Sequence, residues 1–127
     1  MINPRTKGKK GEDEACEWIS KNLYESKRTL RRNYNQVYIG ADIVSHPFIF
    51  EVKRSETLAL DKWWIQINKV YKRLLEHKKP TIRVVMFRQN HRQWEFLISS
   101  ETIGCTAGYI RITDARFKEW ASKYIVR

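Results

Sequence analysis

Two strand-like apolar runs on either side of an amphipathic segment constrain this chain more than any other feature. Residues 48–54 (Phe-Ile-Phe-Glu-Val-Lys-Arg) and 82–87 (Ile-Arg-Val-Val-Met-Phe) are rich in the β-branched and aromatic side chains that favour strands. Between them, over residues 60–77, Leu60, Trp64, Ile67, Tyr71 and Leu74 recur at helical spacing, and Pro80 follows as a stop. A strand, a helix and a strand in that order predict a right-handed crossover between two parallel neighbours.

The other segments arrange themselves around this unit. Residues 1–11 carry Arg5, Lys7, Lys9 and Lys10 with little apolar content and read as a mobile basic arm. Residues 12–24 place Ala15, Trp18, Ile19 and Leu23 at helical spacing, with Glu12, Asp13 and Glu14 in a first turn that suits acids. Residues 29–32 and 41–44 read as strands, and Pro47 suits the turn at 45–47. A further strand is expected over 93–98, and a last helix over 114–124 with Thr113 as its cap. Without repeats or a Pro/Gly/Ser linker, residues 12–127 are expected to form one domain. Its predicted fold class is α/β, a mixed central β-sheet flanked by helices.

Composition narrows the partners. The 127 residues include 25 Lys and Arg against 14 Asp and Glu, a net charge of +11. A small body so charged attracts polyanions, nucleic acid first and an acidic membrane face second. No apolar run approaches the roughly 20 residues that span a bilayer, and the basic start lacks the apolar stretch of a secretory signal. Cys16 and Cys105 form no CxxC pair, which argues against a cysteine-based zinc site and for reduced thiols. A cytoplasmic protein without a membrane partner is the expectation. His46, His77 and His91 show no triad or metal spacing.

The chemistry concentrates in residues 42–53. On a strand, Glu51 and Lys53 share one face, with Phe48, Phe50 and Val52 on the other. A hairpin centred between His46 and Pro47 places Asp42 across from Glu51, with side chains roughly 5 Å apart. Two carboxylates about 4 Å apart repel by roughly 4 kcal/mol at an effective dielectric near 20. Lys53 relieves part of this and a divalent cation all of it. Oxygen ligands suit Mg2+ or Mn2+ rather than zinc, and the Val52 carbonyl is a further candidate ligand. Such an ion can bind a phosphate oxygen and acidify a bound water, with Lys53 holding that water or offsetting charge on phosphorus. The plainer reading is a strand with one structural ion pair, Glu51 to Lys53.

Asp42, eight residues, then Glu51-Val52-Lys53 resembles the PD-(D/E)XK nuclease superfamily. The segment Lys7-Gly8-Lys9-Lys10-Gly11-Glu12 is similar to the opening of archaeal-type Holliday junction resolvases and their phage relatives. The resemblance implies a restriction-endonuclease-like αβββαβ core. It also implies a catalytic set of Glu12, Asp42, Glu51, Lys53 and Gln66, with Glu12 completing the metal site and Glu14 as its alternative. One or two Mg2+ ions would be held, with Mn2+ as a substitute. The implied substrate is branched DNA, a four-way junction. Paired cuts about a twofold axis would call for a homodimer, and a phage-encoded chain would act in the host cytoplasm. The resemblance covers most of residues 7–98; residues 99–127 resemble nothing we can name. Ala41-Asp42 stands where the family has Pro-Asp, a proline that supplies no ligand. Residues 33–39 lack the Ser/Gly-rich loop of the archaeal enzymes.

Arg5, Lys7, Lys9, Lys10, Arg31, Arg32, Arg54, Lys69, Lys72 and Arg73 are the candidate phosphate contacts, with Lys27 and Arg28 nearby. No helix-turn-helix or zinc-finger pattern reads bases, so recognition by shape is expected. The adjacent Trp63 and Trp64 either both pack inside, or leave one ring out to meet a base or a partner subunit. Three other readings stay open: a less selective nicking, repair or restriction-type nuclease, a non-catalytic basic DNA-binding module, and a basic ribosome-associated protein. The last explains the charge but not the acids.

Overall fold

The structure, a computed structural model, describes residues 4–23, 31–32, 41–79, 81–103 and 108–125, and side-chain surroundings for these except 4–9, 31–32 and 102–103. Helix α1 (Pro4–Asn22) is followed by strands β1 (Arg31–Arg32), β2 (Ile43–Ser45) and β3 (Phe48–Arg54). Helix α2 (Leu60–Glu76) leads to β4 (Ile82–Arg88), β5 (Glu95–Ser99), a 3-10 turn (Ser100–Ile103) and β6 (Tyr109–Thr113). Helix α3 (Asp114–Ala121) ends in a second 3-10 turn (Ser122–Tyr124).

The strands lie in one sheet in chain order, β1 to β6. A two-residue turn at His46 and Pro47 folds β3 back on β2, so the pair is antiparallel. Between β3 and β4 the chain detours through α2, and these two strands run parallel, with Phe48 beside Ile82 and Arg54 beside Arg88. The remaining neighbours are antiparallel. The fold is thus α/β, with a mixed sheet flanked by helices.

Alternation along the strands sorts the core into two layers. On one face Ile43, Phe48, Phe50, Val84, Met86, Phe96 and Ile98 pack against Ala15, Ile19 and Leu23 of α1 and Phe117 and Ala121 of α3. Phe96 and Phe117 stack with ring centroids 3.9 Å apart. On the other face Ile49, Val85, Phe87 and Leu97 meet Trp63, Trp64, Ile67, Val70 and Leu74 of α2. Thr113 caps α3 by accepting the Arg116 N–H at 3.3 Å. Among the described residues no helix is long and apolar enough to cross a membrane.

Several boundaries differ from the sequence reading. The basic arm expected over residues 1–11 is helical from Pro4, so Glu12, Asp13 and Glu14 sit in mid-helix rather than in a first turn. Proline lacks only an N–H that a first turn leaves unpaired, and it pre-sets the helical φ. The strand expected at Ala41 starts at Ile43. Strand β6 was not expected, and regular α-helix stops at Ala121, short of Tyr124. Trp63 and Trp64 are both buried, on Phe87 and on Tyr109 respectively, so neither ring is presented outward. They straddle the middle of an apolar stripe wide enough for both. Residues 24–30, 33–40 and Cys105, with Lys27 and Arg28, lie outside the described residues.

A candidate active site of buried carboxylates

The β2–β3 hairpin sets the geometry. Its register pairs Ser45 with Phe48, Val44 with Ile49 and Ile43 with Phe50, and ends there, one residue before the cross-strand pairing of Asp42 with Glu51 expected from the sequence. At Asp42 the chain leaves the ladder. Its N–H donates to Phe50 O at 2.8 Å, one residue short of the register. Ala41 and Ile43, which would share a face in a regular strand, fall into the two opposite core layers. This bend carries the Asp42 carboxylate to the backbone of β3, where Oδ2 accepts the Val52 N–H at 2.8 Å.

Glu51 is 8% exposed in the middle of the sheet. Lys53, two residues on and on the same face, places Nζ 3.1 Å from Glu51 Oε1. Burial pushes the Glu51 carboxyl up to about 7; the charge of Asp42 adds to the rise, Lys53 opposes it, and Glu12 raises it slightly. Burial likewise raises Asp42, opposed by the Val52 N–H, by Lys53 and by a side-chain hydrogen bond with Glu12. A hydrogen bond between two carboxyl groups needs a shared proton. Asp42 and Glu51 are thus both pushed up by burial, with the Lys53 ammonium beside Glu51 and Glu12 hydrogen-bonded to Asp42.

Helix α1 supplies the third acid. Glu12 precedes Ile19 by seven residues, so it extends the stripe that Ala15, Ile19 and Leu23 bury against the sheet. An acid in a buried apolar stripe requires a polar partner, and Asp42 is that partner. Glu14 is engaged elsewhere: its Oε2 lies 3.2 Å from Arg54 Nε and 3.4 Å from Arg88 Nη1. Of the two helix acids singled out from sequence, Glu12 is the one brought to Asp42.

The remaining candidates divide. Gln66 lies half-buried on α2, one turn from Trp63 and Val70, and its buried Oε1 has no hydrogen-bond partner. Val52 meets Asp42 through its N–H; its carbonyl, the proposed ligand, is not part of that contact. Arg54 does not project outward as a phosphate contact. Its guanidinium is paired with Glu14 and its stem packs on Gly11, because it ends a strand covered by α1. Lys10, Lys69 and Lys72 are exposed, and Arg73 is half-buried. Arg31 and Arg32 form β1, and Arg5, Lys7 and Lys9 lie in α1; their side chains are outside the described residues.

Sequence reasoning missed the pairing of Arg54 and Arg88 around Glu14. The signal was present: both parallel strands end in arginine, and they pair end to end. It also missed Arg83, whose guanidinium lies 3.9 Å from the Tyr71 ring centroid and 5.1 Å from that of Trp64.

The donors fit a hard divalent cation in kind: carboxylate oxygens, buried, repelling one another, with histidine and thiolate absent from the set. As they stand, these side chains are turned to protein partners. Among the described residues no three His, Cys, Asp or Glu groups form a ready metal-holding cluster. No family model, no characterised protein and no solved structure matches this chain.

Proposed function

We propose that this chain is a metal-dependent DNA endonuclease of the PD-(D/E)XK type, built on a restriction-endonuclease-like core, that cuts branched DNA as a Holliday junction resolvase. One observation carries the reading. The Asp42 carboxylate is bound at 2.8 Å to the N–H of Val52, the residue between Glu51 and Lys53, and Lys53 Nζ lies 3.1 Å from the buried Glu51 carboxylate. A merely structural ion pair needs Glu51 and Lys53 alone. It has no use for a second and third carboxyl, whose desolvation and mutual repulsion cost stability.

Asp42, Glu51 and Glu12, with the Val52 carbonyl, would hold one or two Mg2+ or Mn2+ ions. Bound there, the metal would neutralise the acids, polarise a phosphate oxygen and acidify water. The residues themselves supply the rest. Lys53 donates protons toward the site and offsets negative charge growing on a phosphate. Gln66 offers an amide whose oxygen is unsatisfied without a ligand. Lys10, Lys69 and Lys72 present charge to the DNA backbone, joined by Arg5, Lys7, Lys9, Arg31, Arg32 and Arg73. A homodimer follows from the twofold symmetry of a junction.

A less selective nicking or repair nuclease is the second reading. The missing Ser/Gly-rich loop at residues 33–39 favours it, because that loop assists the junction-specific relatives. The test is Mg2+-dependent cleavage of a synthetic four-way junction and of a linear duplex of equal length, with Asp42→Asn and Lys53→Met as controls. Preferential cutting of the junction supports the resolvase, and equal cutting the second reading. Binding without cutting, or an Asp42→Asn variant as fast as the parent, removes the nuclease.

A further inference from the structure

Helix α1 carries Glu12 to the site, so something must fix the rotation and height of that helix over β3. Its apolar residues settle the face but not the height, since aliphatic contacts slide. Two contacts next to Glu12 are specific. A Cβ on Gly11 would stand 2.6 Å from Arg54 Cγ and 3.2 Å from Arg54 Cβ, so the helix backbone rests on the arginine stem at the one residue that leaves room. Glu14, on a neighbouring part of the helix surface three residues on, binds the head of the same arginine, 3.2 Å from Nε. Arg88 is level with Arg54 on the next strand, and its Nη1 lies 3.4 Å from the same oxygen.

We propose that Gly11, Glu14 and Arg54 form a clamp that sets α1 so that the Glu12 carboxyl stands beside Asp42, making Arg54 and Glu14 positioning residues for the metal site. The inference rests on reading Glu12, Asp42 and Glu51 as that site. Arg54 is held at both ends, by the helix backbone at its stem and by a carboxylate at its head. Its Nη1 is buried without a hydrogen-bond partner, so the pairing of Nε with the Glu14 carboxylate is what offsets the burial of this guanidinium. The position chosen for glycine is also informative. Glycine in a helix interior costs roughly 0.5–1 kcal/mol relative to alanine, a cost retained at Gly11 for the close approach to Arg54.

The test uses the full chain and two measurements: Mn2+ binding by calorimetry, and thermal unfolding in EDTA. Gly11→Ala, Arg54→Ala and Glu14→Gln should each weaken Mn2+ binding about tenfold, the lower end of what outer-shell partners of a metal site contribute. Gly11→Ala made in the Arg54→Ala background should weaken it little further, since Cγ, the atom it would strike at 2.6 Å, is gone and only Cβ, at 3.2 Å, remains. Glu14→Gln keeps the shape of the helix surface and decides the matter if Gly11→Ala does not fold. Variants that melt like the parent and bind Mn2+ within about twofold of it would overturn the clamp, as would fully additive losses in the double variant. A parent chain that binds no Mn2+ overturns the metal-site reading and the clamp together, so the two failures are told apart.

Discussion

The carboxylate of Asp42 accepts the backbone N–H of Val52, the residue between Glu51 and Lys53, at 2.8 Å. One acid is thereby fastened to the strand that carries the second acid and the amine, with no intervening side chain. The hydrogen bond needs an acceptor oxygen but not a charge. Asp42→Asn should therefore keep the fold and the contact while removing the repulsion felt by Glu51. In EDTA at pH 8 the variant should be more stable than the parent by about 1–2 kcal/mol, one pKa unit being worth about 1.4 kcal/mol. Cleavage should fall by more than about 100-fold, beyond the range for loss of an outer-shell partner. Urea unfolding alongside a cleavage assay reads both. A variant that is both less stable and still active would mean that this acid is a structural cap.

The metal-free protein should lose stability as pH rises toward neutrality. Glu51 holds its proton to about 7 when folded, against an ordinary value of 4.5 for an unfolded chain. Between those values the folded state binds more protons than the unfolded state, so the slope of stability with pH is negative. The loss from this residue is on the order of 3 kcal/mol across the window, complete once pH passes the folded value. Urea midpoints in EDTA from pH 4.5 to 8 should show this fall, and Glu51→Gln should flatten it. Mg2+ should restore the parent at pH 8 and leave Glu51→Gln little changed.

The hairpin was legible in the sequence because its information is local. A two-residue turn at His46 and Pro47 fixes the register, and strict alternation in β3 fixes which face Glu51 and Lys53 share. The crossover was legible for the same reason: a long amphipathic run between two strands leaves few topologies. What escaped depends on distant pairing. The departure of Asp42 from the ladder involves Phe50 and Val52, and the burial of Arg54 involves Gly11 and Glu14. Basic residues with little apolar content read as a mobile arm, whereas Gly11 is buried and lets α1 touch β3. Strand β6 alternates Ile110 and Ile112 with Arg111, a weak signal because it is short and only half-buried.

The segment without a family resemblance is nonetheless built into the core. Phe117 of α3 is fully buried and stacked on Phe96, with Phe50 and Trp18 within 6.3 Å between ring centroids. Phe117→Ala should cost about 3–5 kcal/mol, as large-to-small changes of buried aromatics do. A chain cut before Asp114 should fail to fold for the same reason. Urea unfolding of the substituted chain measures the first. A loss below about 0.5 kcal/mol, the range of surface substitutions, would show α3 to be an accessory rather than part of the core.

Charge on the outer side of α2 should govern affinity without governing sequence preference. Lys69 and Lys72 are exposed one turn apart, on a helix whose opposite face is buried against the sheet. If they meet phosphates, each neutralised phosphate releases counterions, and log Kd varies with log salt by about 0.9 per contact. Lys69→Ala and Lys72→Ala should each reduce that slope by about 0.9, weaken junction and duplex binding in equal proportion, and leave Mn2+ affinity unchanged. Salt titrations of DNA binding in EDTA, which withholds any divalent ion, isolate this term. An unaltered slope in the double variant would move the DNA path off α2, toward the basic residues of α1 and β1.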